Sequence, residues 1–282
     1  MSDEYEAAYP PLPRQRIDAL GIHTNYYTAG DPQNETVVLL HGMSTSGDSF
    51  REVMHRLAED YYLIAPDIPG FGYSDDTDPY VLPHLVEWLA AFFDALEIRP
   101  AHSVGHSFGG VLASAYSLSY PEDVRSQALL APAVLVPQDF PNWMLNLSRL
   151  EISESLISAG VSASRSRILI QRQIRAPFYD PDKLDASLWA RREEDYARAR
   201  ASAAVMRAVA LHDLRDRLPQ LPGPHCIIWG ENDGVVDPAG AATLSSLLPG
   251  AEVHLLAECG HAPQIERHED VTAILRQFWS GR

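Results

Sequence analysis

Three short stretches carry residue types that together could run acyl transfer. Gly105-His106-Ser107-Phe108-Gly109 sets one serine among glycines where the apolar run AHSVG gives way to the helix-like GGVLASAYSLSY. This is a G-x-S-x-G pattern, a sharp strand-to-helix turn that exposes a hydroxyl while its glycines keep strand and helix from colliding. A hydroxyl is a poor nucleophile until a base takes its proton, so the serine needs a histidine within reach. His261, in LLAECGHAP just after an apolar run, is the candidate base. Asp233, in CIIWGENDGVVDP just after another, is the candidate carboxylate that would orient the imidazole and stabilise its charge. Loops at the carboxyl ends of parallel strands can bring three such side chains together.

Plainer readings stand beside each of these. Glycine and serine crowd ordinary turns, and Asp233 in Asn-Asp-Gly is also a common turn residue. Asp237 competes for the acid, but Asp237-Pro238 reads as a helix N-cap followed by proline at the first helical position. Among eleven histidines, His261 stands out because glycine precedes it and a strand ends there. His102 and His106 lie four apart in a strand-like run, a spacing that aligns ligands only in a helix, so no metal pair is expected. The oxyanion formed in acyl transfer needs N–H donors. Phe108, the residue after the serine, would supply one, and Met43 of His41-Gly42-Met43 the other, although a plain strand-ending turn explains that tripeptide too. No metal and no cofactor is expected.

The elements that must hold these residues follow from hydrophobic pattern. RQRIDAL and IHTNYYTAG read as a hairpin about Gly21. TVVLLHG, YYLIAPDIPG, AHSVG and SQALLAPA are apolar runs of buried strands, separated by helical spacing in SFREVMHRLAED and LPHLVEWLAAFFDALEI. Alternation stops from about residue 137 to 212, where only amphipathic helix-like runs occur, and resumes with HCIIWGENDGVV, PAGAATLSSLLP, AEVHLLAECGH and EDVTAILRQFWS. The expected architecture is α/β, a mainly parallel sheet covered by helices, with residues 1–136 and 213–282 forming one core and 137–212 a helical insertion. The insertion holds eleven basic against nine acidic residues, whereas the whole chain of 282 residues carries −16.

That net charge and a pI near 5.0 make nucleic acid an unfavourable partner. The opening MSDEYEAAYPPLP is acidic and proline-rich, unlike a secretory leader, and the longest apolar run, ALLAPAVLV, is too short to span a bilayer. With only Cys226 and Cys259, no disulfide framework is expected, and a cytoplasmic protein without membrane partners is the expectation.

These motifs, in this order, resemble those of the α/β-hydrolase fold superfamily. Besides the elbow and His41-Gly42-Met43, the stretch Asp67-Ile68-Pro69-Gly70-Phe71-Gly72-Tyr73-Ser74 is similar to that family's D-x-P-G-x-G-x-S block. GENDGVV and Cys259-Gly260-His261 resemble the blocks carrying the acid and the histidine. The resemblance implies an eight-stranded sheet, a cap inserted after the sixth strand, and a serine rather than aspartate nucleophile. It also implies hydrolysis of an ester-like small molecule through Ser107, Asp233 and His261. Carbon–carbon hydrolases acting on ring-fission diketo acids, and ligand-binding receptors on the same fold, are the alternatives. The carbon–carbon group commonly has an aromatic after the histidine, where this chain has Ala262-Pro263-Gln264, and an arginine in the cap. Arginine is this chain's default cation, however, and beside glutamate it usually makes a solvated face. His41, Phe140, Trp143 and Val236 are candidates for a substrate pocket, with Met144 and Leu147 near them; the same cap side chains would also serve to pack the cap on the core. Association into a homo-oligomer is left open.

Overall fold

The protein is described by a computed structural model covering residues 2–135 and 167–280. Eight strands form one sheet: β1 (Arg14–Ala19), β2 (Ile22–Ala29), β3 (Thr36–Leu40), β4 (Tyr62–Pro66), β5 (Ala101–His106), β6 (Val124–Leu130), β7 (His225–Gly230) and β8 (Glu252–Leu256). Their spatial order is β1-β2-β4-β3-β5-β6-β7-β8. β1 and β2 form the expected antiparallel hairpin, β2 runs antiparallel to β4, and every other pairing is parallel.

The apolar runs are continuous because both faces of the central strands are covered. In β3, Val38 and Leu40 enter one core while Val37 and Leu39 enter the other, and β7 divides Ile227 and Trp229 from Cys226 and Ile228 in the same way. The first core is closed by helices α3 (Leu82–Leu96), α4 (Phe108–Ser119) and α8 (Gly240–Leu247), the second by α2 (Arg51–Leu57) and α10 (His268–Trp279). Each fully buried aliphatic side chain contributes about 1.5–3 kcal/mol over its exposed state.

One local expectation is corrected and one element is added. The helix read over SFREVMHRLAED is shorter, because residues 47–50 form a 3₁₀ turn before α2. The acidic N-terminal stretch contains a helix, α1 (Ser2–Ala8), whose Tyr5 hydroxyl donates to buried Glu52 Oε1 at 2.8 Å.

Between β6 and β7 the described residues form three helices, α5 (Arg167–Arg175), α6 (Ala186–Arg198) and α7 (Ser202–Leu211). α6 is capped by Asp185, whose carboxylate accepts from Ser187 N. Phe140, Trp143, Met144 and Leu147 lie outside the described residues. Among the described residues no helix is long and apolar enough to cross a membrane.

Candidate active site

Ser107 sits between β5 and α4 at φ 51° and ψ −115°, a conformation that costs an L residue about 1–3 kcal/mol. Backbone bonds hold it there: Ser107 N donates to Leu130 O, and Ser107 O accepts from Gly110 N, Val111 N and Ala133 N. The flanking glycines are there for space. A Cβ on Gly105 would lie 2.6 Å from Gly109 O, and one on Gly109 would lie 2.0 Å from Leu40 O. Strand, helix and neighbouring strand therefore close tightly around the serine.

His261 bridges the other two residues. Its Nε2 lies 3.0 Å from Ser107 Oγ and its Nδ1 lies 2.8 Å from Asp233 Oδ2. With the proton on Nδ1, the ring donates to Asp233 and leaves Nε2 free to accept from the serine hydroxyl. Asp233, in the loop after β7, also accepts from Trp229 Nε1 on Oδ2, and from Val235 N and Val236 N on Oδ1. Burial alone would raise its carboxyl, but the His261 ring and the two backbone N–H groups outweigh it and hold the pKa below the usual carboxylate range. Asp237 accepts locally, from Ala239 N at 2.9 Å, in the turn before α8, whose N-cap is Ala239 and not Asp237 as expected.

Phe108 opens α4, so its N–H has no carbonyl one helical turn back to bond. Met43 lies on the loop after β3, which passes so close to the elbow that a Cβ on Gly42 would lie 3.2 Å from Ser107 Cβ. Met43, Ser107 and His261 line one cavity of about 340 Å³. The insertion supplies much of the remaining wall, including apolar Ile174, Phe178 and Met206.

Two of the candidate pocket residues are placed elsewhere. His41 is fully buried behind the wall: its Nε2 accepts from Ile68 N at 2.9 Å and its Nδ1 donates to Gly42 O at 2.8 Å. Burial pushes its pKa down to about 4, so it is a neutral scaffold residue. Val236 packs partly buried against the main core, and its neighbour Val235 lines the cavity instead. The Asp67 block is scaffold as well, its carboxylate taking Gly47 N and Tyr73 N and the Asn25 side chain.

Other residues at the site carry no sequence signal of their own. Buried His106 lies beside His261 with ring centroids 5.0 Å apart and planes tilted by 51°, and its Nε2 donates to His261 O at 2.7 Å. Burial, with His261 adding to it, pushes the His106 pKa down to about 3 and keeps that ring neutral. Arg192 and Gln264 both line the cavity and are buried, yet Arg192 Nε and both polar atoms of Gln264 have no hydrogen-bond partner among the described residues. Arg192 Nη1 donates to Asp195 Oδ2, three residues on in α6, at 3.5 Å, so among the described residues the guanidinium is paired at that end alone.

The sequence matches a family model described as alpha/beta hydrolase fold over residues 35–268. The chain belongs to the α/β-hydrolase family. Within that family it is 32% identical over 250 residues to a pimeloyl-[acyl-carrier protein] methyl ester esterase of Xanthomonas oryzae pv. oryzae, spanning 86% of this chain and 94% of the relative. A monoacylglycerol lipase of Xenopus laevis is 26% identical, over 91% of this chain and 79% of the relative. Among solved structures, this α/β hydrolase superposes on a meta-cleavage product hydrolase from Pseudomonas fluorescens IP01 with a TM-score of 0.77 and 27% identity, covering 94% of this chain and 97% of that one.

Proposed function

We propose that the protein is a serine hydrolase that cleaves an ester-like bond of a small molecule through an acyl-enzyme. The observation carrying this reading is His261 bridging Ser107 Oγ and Asp233 Oδ2 at 3.0 and 2.8 Å over a strained, half-buried serine that lines the cavity. As Ser107 Oγ attacks the carbonyl carbon, its proton passes to His261 Nε2. The resulting oxyanion is held by the N–H groups of Met43 and Phe108. His261 then gives the proton to the leaving oxygen as the C–O bond breaks, with Asp233 stabilising the imidazolium meanwhile. Water attacks the acyl carbon while His261 takes its proton, and that proton returns to Ser107 as the acid departs.

On this reading residues 1–136 and 213–282 are the catalytic core and 137–212 a cap that closes the cavity over the serine. The names of the esterase and lipase relatives support the same bond class.

One observation favours a second reading. Arg192 offers a buried guanidinium whose Nε has no partner among the described residues, on the wall of the same cavity. That charge suits a substrate carrying a carboxylate, as a vinylogous diketo acid does, and the structural neighbour named as a meta-cleavage product hydrolase supports carbon–carbon cleavage.

Steady-state hydrolysis of p-nitrophenyl esters from acetate to decanoate, with Ser107→Ala alongside, tests the first reading. Sustained turnover that the variant lacks is expected, with the chain-length profile sizing the cavity. Turnover of diketo acids that exceeds ester turnover by orders of magnitude would replace it with the second. Stoichiometric labelling without sustained turnover would replace both with a ligand-binding role.

A further inference from the structure

Three consecutive residues around the proposed base are fastened through a single side chain and a single inserted segment. Glu266, in the short helix α9 (Pro263–Glu266), accepts from Gly260 N at 3.0 Å and from Ala262 N at 3.3 Å, both on Oε1. Its Oε2 accepts from Tyr179 N, in the insertion, at 2.7 Å. Between those two neighbours, His261 N donates to Pro177 O at 2.7 Å. The inserted segment thus lies directly on the histidine loop, and Phe178 packs there with Leu188, Ala262 and Ile265 in a small core of its own.

The contact leaves no room for a side chain at residue 260. A Cβ there would lie 2.4 Å from Pro177 O and 2.7 Å from Tyr179 N. The glycine before the histidine is therefore needed for this approach. Glutamate suits the centre because an ionised carboxylate is acceptor-only and can take all three N–H groups. A glutamine would offer one accepting oxygen and turn its amide donors toward the remaining N–H.

We propose that Glu266 is a positioning residue for His261, clamping both flanks of the base to residues 177–179 of the insertion, so that base and insertion hold their geometry together. This rests on the serine-hydrolase reading of His261. It assigns the insertion a task beyond covering the cavity, because a shift of 177–179 is transmitted through the clamp to the base. Burial, which outweighs the three N–H groups, raises the Glu266 carboxyl, and nearby Asp233 adds to that shift, in keeping with a carboxylate set close to the triad.

The test uses the full chain with Glu266→Gln and Gly260→Ala, singly and combined. For each, kcat and KM on p-nitrophenyl butyrate are measured below the thermal midpoint, together with the low-field proton resonance of the His261–Asp233 bond. Each single variant is expected to lower kcat by roughly 10- to 100-fold with KM within about twofold, as a small displacement of a reacting group does. The low-field resonance is expected to broaden or vanish in both. The double variant is expected to fall well short of the product of the singles, because both loosen one clamp. Unchanged kcat and an intact resonance in Glu266→Gln would overturn the proposal, as would purely multiplicative effects. Should Glu266→Gln fail to fold, Gly260→Ala carries the same two readouts. If the wild type itself shows no turnover while its resonance is lost in the variants, the clamp stands and the hydrolase reading is what falls.

Discussion

Asp233 and His261, in the loops after β7 and β8, have every side-chain nitrogen and oxygen bonded, and Ser107 at the end of β5 bonds the histidine. The inserted helix α6 brings Arg191 and Arg192 side by side with opposite fates. Arg191 is spent on Asp48 and Glu52 of the core, anchoring the helix, whereas Arg192 lines the cavity with its Nε unbonded among the described residues. An unpaired buried polar group costs about 1–3 kcal/mol until a partner arrives. Ser107, Asp233 and His261 are thus bonded to one another, whereas the cavity wall keeps buried polar atoms with no partner among the described residues, on Arg192 of the insertion and on Gln264 beside the histidine loop. Changes at the strand ends should act on kcat for every substrate. Changes in the insertion should act on the choice among substrates.

The largest expected effect is at the proposed nucleophile and base. Ser107→Ala and His261→Ala should each lower kcat by on the order of 10⁶ with little change in KM, measured on the best p-nitrophenyl ester. Asp233→Asn should follow with a loss of about 10⁴, since the amide favours the wrong histidine tautomer. A smaller, substrate-dependent effect is expected from Arg192→Met. It should lower kcat/KM for esters bearing a free carboxylate by about 10- to 100-fold while neutral esters change less than about threefold. Equal losses on both ester types would erase the contrast between the two regions.

The smallest effect concerns stability. His225 at the start of β7 is buried, and burial lowers its pKa from 6.5 to about 4. Below pH 6.5 the unfolded chain binds a proton there that the folded chain refuses, so this residue's contribution to stability falls as pH drops toward 4. His225→Phe should therefore lose about 1–2 kcal/mol less than the wild type between pH 7 and pH 5, read from urea midpoints. An identical acid loss in both proteins would show that His225 is accommodated charged.

The strands and the elbow are legible in the sequence because each rests on a local signal. TVVLL and CIIWG are apolar throughout since both of their faces are covered, and G-x-S-x-G packs its steric requirement into five residues. Asp233 is separable from Asp237 because Asp237-Pro238 has a structural reading of its own, a helix N-cap followed by proline. What local signals miss is partnership across the chain. His41 sits beside a glycine at a strand end, like a pocket residue, but its ring is consumed by Ile68 N and Gly42 O. The arginines of α6 look alike in sequence, and only the position of Asp48 and Glu52 separates Arg191 from Arg192. Tyr179, 87 residues before Glu266, and Glu52, 47 after Tyr5, leave no trace at their partners' positions.

The central claim, that Ser107 is a nucleophile activated by His261, is tested most directly by intact mass after exposure to a fluorophosphonate, followed by peptide mapping. One adduct on Ser107 is expected, absent in Ser107→Ala and slowed by orders of magnitude in His261→Ala. No adduct, an adduct on another residue, or equal labelling of the His261→Ala protein would contradict it.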